Sequence, residues 1–387
     1  MHASFDRVIR VFLNPHRSAY LPSDHDLIGR SHAEDARRFL ELCPVYRATP
    51  LLTLADHAAE FGLAGVHLKG EWSRMGLSSF KALGGAYAVA LLVLAWAEAA
   101  LGWPIHPDEL LSPRIRSIAS GLTITCASAG NHGLAIAAGA RAFGARAVVW
   151  LSDAVAESFA IQLREQGATV LRGGATYEES MAFAKAEAER RNWDLLSDSS
   201  WPGYTKMPLA VMRGYTVMLQ EVADTMEAAN GPATHVFVQA GVGGLAAAAV
   251  GYLRDRWGEG FKFVVVESEG APCLMESVRQ GCPVRVTGSA TRLGRLDCKE
   301  PSLLAFNLLS HLADAFMLVS DAEADDSARR LSALGAPLSA CGAAGAAGLI
   351  SVCANDAERQ LLDLNANSHV LLIGTEAADN SIEGIRT

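Results

Sequence analysis

Leu122–Gly173 reads LTITCASAGNHGLAIAAGARAFGARAVVWLSDAVAESFAIQLREQGATVLRG. Short apolar runs (LTITCAS, AVVWL, TVLRG) alternate with longer helical patterns (NHGLAIAAGARAFG, SFAIQLREQG). Strand and helix in turn at this spacing predict parallel βαβ units with right-handed crossovers. The pattern extends outward on both sides. Downstream come YEESMAFAKAEAERR, DLLSDSS, HVFVQAGVGG with an Ala-rich helix, FKFVVVESEG, a helix over 322–334, and SHVLLIGTEAADN. Upstream lie a helical pattern from His32 to Leu42, another from Leu54 to Phe61, and a strand over Gly65–Lys69. Residues 102–121 have the proline and charge content of a surface insertion. The expected class is α/β with open, mostly parallel sheets.

A chain of 387 residues is too long for one small core and suits two domains. Half its residues are hydrophobic and only 19% are charged, enough apolar surface to argue against disorder. The net charge of −9 argues against a nucleic-acid or anionic-membrane surface, which would want a basic excess. Seven scattered cysteines, never spaced C-x-x-C, read as core residues of a reducing compartment. Arg7 and Arg10 interrupt the only apolar patch near the start, so no secretory leader is expected. The uncharged run Ala82–Ala97 is shorter than a membrane span needs and contains Gly84 and Gly85, which favours a buried helix. A cytoplasmic protein is expected.

Open parallel sheets bind ligands at the carboxyl ends of their strands, so the chemistry is sought in the loops there. One further stretch matters, Lys69–Val89, KGEWSRMGLSSFKALGGAYAV. Lys81 heads its apolar run. An ammonium at the head of a buried helix loses hydration, and the neutral amine becomes accessible for imine formation. Taken alone, it reads more readily as a helix-end lysine with its head in water; the rest of the chain reverses that weighting. Gly84 and Gly85 would admit a second backbone or a flat ring.

Ser128-Ala129-Gly130-Asn131-His132-Gly133 joins a strand to a helix, where N–H groups favour an anion. Asn131 offers a neutral donor to a phenolate or carbonyl oxygen; the bland alternative is a capped helix start. Gly241-Val242-Gly243-Gly244-Leu245 also joins strand to helix and could cradle a phosphate through backbone amides. It lacks the GK[ST] of a Walker loop, and Ala246 breaks the dinucleotide pattern. Glu267 and Glu269 are poor ribose acids, so a small phosphorylated cofactor fits better; a tight packing turn fits too. Asp198, in DSSWPGY, could be a general base or bind a substrate amine, or simply cap a helix. The Thr375 hydroxyl, after LLIG, could meet a ring nitrogen or cap a turn. The histidines form no ligand cluster, so no metal site is expected, and no G-x-S-x-G elbow occurs.

Together these motifs resemble the pyridoxal-phosphate enzymes of fold type II, the tryptophan-synthase-β type. Within that group the chain is most similar to the diaminopropionate ammonia-lyase family, from about Thr49 to Glu376. KGEWSRMGLSSFKALGGAYA is similar to the family's lysine segment, which implies that Lys81 carries the cofactor as a Schiff base. SAGNHG resembles the loop in which Asn131 would hold the cofactor's phenolic oxygen. Ser128, Ala129, Gly130 and His132 would serve the substrate carboxylate. GVGGL resembles the phosphate loop, Gly241 to Leu245, and Thr375 would face the ring nitrogen. DSSWPGY supplies Asp198, the family acid associated with L-substrates, and GRLDCKEPS (Gly294–Ser302) is typical of the ammonia-lyase branch. Two departures stand out. Ala129 occupies the place of the aspartate that acts on D-substrates, and Ala343 and Ala344 replace a Glu-Ser pair.

The resemblance implies two open, mostly parallel twisted sheets flanked by helices, with pyridoxal 5'-phosphate in the cleft between domains. The larger domain would be 1–84 with 215–387 and the smaller 85–214. It also implies a homodimeric lyase acting by α,β-elimination on a small L-amino acid, foremost L-2,3-diaminopropionate, to give pyruvate and ammonia. A serine/threonine dehydratase-like elimination is the alternative, to which Ala129 points. A protein of this fold that binds without turnover is a third.

Overall fold

The computed structural model describes residues 10–229 and 231–378; Arg7 of the leader reading and the tail beyond Ala378 lie outside the described residues. In chain order the strands are β1 (Val11–Leu13), β2 (Leu51–Thr53), β3 (Gly65–Gly70), β4 (Thr123–Ala127), β5 (Arg146–Leu151) and β6 (Thr169–Arg172). They continue as β7 (Asp194–Leu195), β8 (His235–Gln239), β9 (Lys262–Ser268), β10 (Ala315–Val319) and β11 (His369–Gly374). Two sheets result, β1-β10-β9-β8-β11-β3-β2 and β6-β5-β4-β7. Neighbours pair in parallel except at the edges of the larger sheet, where β1 and β2 run antiparallel. The expected α/β class is what the chain adopts. Every residue of β4 and β8 is buried, as in strands covered on both faces, and this is why they read as continuous apolar runs.

Two compact units form. One comprises the described residues up to His25, Pro50–Gly70 and Val222–Ala378, around the larger sheet. The other, around the smaller sheet, comprises Asp26–Thr49 and Glu71–Glu221. These limits differ from the 84/85 and 214/215 boundaries expected from the sequence, for a packing reason. The helix Lys81–Leu101 lies along the helices Arg30–Glu41 and Asn131–Phe143, so its first turn cannot belong elsewhere. Its two glycines make those contacts possible. A Cβ on Gly85 would sit 2.5 Å from that of Ala135, and one on Gly84 would sit 2.6 Å from the Val211 carbonyl oxygen.

Two sequence expectations need correction here. The apolar helix after Lys81 does not stop short of membrane-spanning length: it runs 21 residues and passes by length and composition. Of its most apolar window, 56% is buried inside the protein, which accounts for the apolar face without a bilayer. Residues 102–121 are mostly exposed, as a surface segment would be, but they are not an unpacked insertion. They contain the helix Pro113–Ala119, capped by the Ser112 hydroxyl, whose buried Ile115 and Ala119 pack it against the Lys81 helix. Leu110 is also buried.

Each sheet has a point where the strand order reverses. From β8 the chain moves outward through β9 and β10, while β11 lies on the other side of β8. In the smaller sheet it moves from β4 through β5 to β6, and β7 returns to the free side of β4. Such switch points open a crevice at the strands' carboxyl ends. In the larger sheet the flanking loops carry Gly241–Leu245 and Thr375; in the smaller they carry Ser128–Gly133 and Asp198.

Candidate active site

In the unit of the smaller sheet, Lys81 is the first residue of its helix. The preceding loop is strained, with Met75 and Ser78 at φ 51° and 56°. A fully buried ion cluster anchors it. The Arg74 guanidinium grips Glu71 through two bonds of 2.7 and 2.8 Å and donates to both oxygens of Glu221 at 2.8 and 2.9 Å. Tyr46 donates to Glu221 at 2.8 Å and Thr49 to Glu71 at 2.6 Å.

The Lys81 ammonium pairs directly with the Asp198 carboxylate. Its Nζ lies 5.4 and 5.9 Å from the ring centroids of Phe80 and Tyr215. Both partners are largely enclosed, their side chains 24% and 19% exposed. Burial alone would raise the Asp198 carboxyl, but the Lys81 charge, with His132, holds it below the usual carboxylate range. The loop carrying it is braced by Tyr204, whose hydroxyl donates to the Leu195 carbonyl at 2.8 Å and accepts the Ser197 N–H at 3.0 Å. Trp201 stacks on Tyr204 at 4.3 Å across the Pro202-Gly203 turn.

The neighbouring Asn131 loop is tied to the same place. His132 is buried and donates from Nε2 to the Leu196 carbonyl at 3.2 Å, two residues from Asp198. Burial lowers its pKa, against the pull of the Asp198 carboxylate. The Ser128 hydroxyl accepts the N–H groups of Gly130 at 3.3 Å and Gly133 at 3.1 Å. A Cβ at Gly133 would press on the Ser128 carbonyl at 2.9 Å. Ser128 and His132 thus shape the loop, Ala129 is exposed, and Asn131 opens the helix Asn131–Phe143.

In the unit of the larger sheet, Gly241–Leu245 leads from β8 into the helix Gly244–Trp257. Gly243 is left-handed, with φ 95°, and Ala247 makes the helix's first bond back to its carbonyl. The N–H groups of Gly244, Leu245 and Ala246 have no carbonyl a turn behind them. A Cβ at Gly241 would meet Cys298 Sγ at 2.9 Å, and Ser302 N–H donates to the Val242 carbonyl at 2.9 Å. The Gly294–Ser302 stretch is therefore the backing of this loop. Glu267, weighed as a ribose acid, instead caps the helix Cys273–Gln280, accepting Leu274 and Met275 N–H at 2.8 Å each. Burial pushes it up to about 8, against the pull of those two bonds. Thr375 is buried beyond β11, and Ala343 and Ala344 lie buried in the helix Ala340–Cys353 behind the sheet.

The donor set suits pyridoxal 5'-phosphate. In the unit of the larger sheet, a helix start behind a left-handed glycine fits a phosphate dianion; in the other, a lysine amine beside two aromatic rings fits an aldehyde. Sequence reasoning found these loops but missed Tyr215, the Arg74 cluster and Gln239, which contacts Thr375. A lone glutamine ending the apolar run HVFVQ was the one available signal.

Comparison with known proteins agrees. Residues 42–375 match the family described as pyridoxal-phosphate dependent enzyme. The chain is 31% identical over 364 residues to the diaminopropionate ammonia-lyase of Escherichia coli strain K12, covering 90% of this chain and 89% of that one. A crystal structure of the Escherichia coli enzyme in complex with D-serine superposes with a TM-score of 0.87 at 28% identity, covering 96% and 95% of the two chains. A probable D-serine dehydratase of Acidovorax ebreus strain TPSY is 27% identical over 306 residues, covering 70% of this chain and 66% of that one. By the family match and the extent of the first of these similarities, the chain belongs to the pyridoxal-phosphate dependent enzymes, within the diaminopropionate ammonia-lyase family.

Proposed function

We propose that this protein is a pyridoxal-phosphate-dependent ammonia-lyase that converts L-2,3-diaminopropionate and water into pyruvate and two molecules of ammonia. The observation that carries the reading is the Lys81–Asp198 pair, held beside the Asn131 loop. In this reading Lys81 is the attachment point of the cofactor, Gly241–Leu245 hold its phosphate, Asn131 its phenolic oxygen, and Thr375 its ring nitrogen. When bound, the cofactor supplies the conjugated ring that takes up the electron pair left as Cα loses its proton.

The chain's own groups do the rest. Asp198 is ionised only because a cation faces it; withdraw that charge and burial makes the carboxylate a stronger base. It then suits removal of a proton from Cα on its side. The β-amine departs as ammonia once protonated, and Lys81 Nζ and Asp198 are the groups that hold a proton there. Ser128 and His132 fix the loop whose N–H groups receive the substrate carboxylate. The exposed methyl of Ala129 cannot take up a proton, which supports use of the L-isomer alone. With this reading go a small amino-acid substrate, a homodimer from the family resemblance, and a cytoplasmic location from the composition. The acidic net charge favours neither a nucleic-acid nor a membrane partner.

Ala129 also supports a second reading, elimination of water from serine or threonine. Product stoichiometry separates the two: diaminopropionate yields two ammonia per pyruvate, serine one. The reading expects a higher kcat/KM for L-2,3-diaminopropionate than for L-serine and no pyruvate from the D-isomer. A preference for L-serine would replace it with the dehydratase.

A further inference from the structure

Gln239 ends β8, and Thr375 follows the last residue of the adjacent strand β11. The Gln239 side chain is buried, and its Nε2 lies 2.8 Å from the Gly342 carbonyl, 3.0 Å from that of Ile373 and 3.3 Å from that of Cys341. A fourth acceptor, Thr375 Oγ1, lies at 3.0 Å. The orientation of this amide follows from chemistry. Turned over, it would set its oxygen against three carbonyl oxygens. Gly345 leaves the room that the amide oxygen needs, since a Cβ there would stand 2.7 Å from Gln239 Oε1.

An amide nitrogen donates and does not accept. Its two hydrogens face four acceptors, and whichever they reach, the Thr375 O–H cannot be given to this nitrogen and must be directed to another acceptor. We infer that Gln239 is a positioning residue: it fixes the Thr375 hydroxyl as a donor, so that a pyridine nitrogen set against it is held in its unprotonated state. The inference rests on the reading that places Thr375 at the ring nitrogen. It deepens that reading by saying what sets the direction of the hydrogen bond. An unprotonated ring withdraws electrons less strongly, which suits loss of a β-substituent over reactions that need a long-lived carbanion.

The test is the nitrogen resonance of ring-15N-labelled pyridoxal phosphate in the holoenzyme, compared among wild type, Thr375→Val and Gln239→Met. Wild type should show the resonance of an unprotonated pyridine. Thr375→Val should shift it by removing the donor, and Gln239→Met should shift it in the same direction by a smaller amount. With Gln239→Met, kcat should fall roughly tenfold while KM changes little, the scale of one weakened hydrogen bond. A resonance unmoved by Thr375→Val would sink the ring-nitrogen reading itself. A resonance moved by Thr375→Val but not by Gln239→Met would sink the role of Gln239 alone. Because Gln239→Met strips partners from buried carbonyls and could unfold, the wild-type spectrum stands as an independent check: a protonated ring nitrogen there overturns the inference without any variant.

Discussion

At the scale of single residues, the candidate site depends on charges placed where water is scarce. The folded-state pKa of Asp198 lies below its ordinary value because Lys81 and His132 outweigh burial. Its pairing therefore contributes stability that is fully present above the unfolded pKa, near 4, and is lost as pH falls through the folded value. In Lys81→Met the largest charge opposing burial would be gone, the carboxyl would be pushed up, and ionising it would cost stability. The gap in urea midpoint between wild type and Lys81→Met should widen from about pH 3 to about pH 7. A gap constant across that range would mean that the pair does not set the carboxyl's ionisation. Arg74 shows the same physics with less water. Arg74→Met would leave Glu71 and Glu221 buried without their cation, a loss of about 3–5 kcal/mol readable by urea denaturation. Lys81 and Asp198 were legible in the sequence because each stands out against apolar or small neighbours. The Arg74 cluster was not, since Glu221 is 147 residues distant and nothing local marks it as a partner.

At the scale of elements, the Lys81 helix is defined by close approach. Gly84→Ala should gain about 1 kcal/mol of helix propensity. The new Cβ would collide with the Val211 backbone carbonyl, which cannot swing aside, and with the Tyr215 ring. Overpacking of this kind costs about 1–3 kcal/mol, so a net fall in Tm is expected; a rise would show that the two helices have slack. The glycine pair was readable from the sequence, whereas what it packs against was not. Other elements escaped for definable reasons. The helix Leu303–Leu312 and β10 share one apolar stretch, and a buried helix and a buried strand look alike when no alternation separates them. β1 and β2, three residues each, are too short to show any period. The helix Pro113–Ala119 was hidden by the prolines and charges around it, though proline at a first helical turn is a favourable start.

At the scale of the whole molecule, both sheets use the same device. Each places its candidate residues in the two loops that flank a reversal of strand order. The alternation of strand and helix made the class legible, and the loops after strands pointed to the chemistry. The limits of the two units were harder to read, because they depend on which helices pack together and not on any break in composition. The proposed function joins this scale to the first: the smaller sheet holds Asp198 against Lys81, and there, in that proposal, an L-amino acid loses its Cα proton. The most direct test is pyruvate release from L-2,3-diaminopropionate by wild type and Asp198→Asn, each first shown by absorbance to hold the cofactor. The variant should keep the visible cofactor band and lose about 100-fold or more in kcat, the scale of a missing general base. An Asp198→Asn enzyme with the cofactor bound and a rate close to wild type would contradict the proposal.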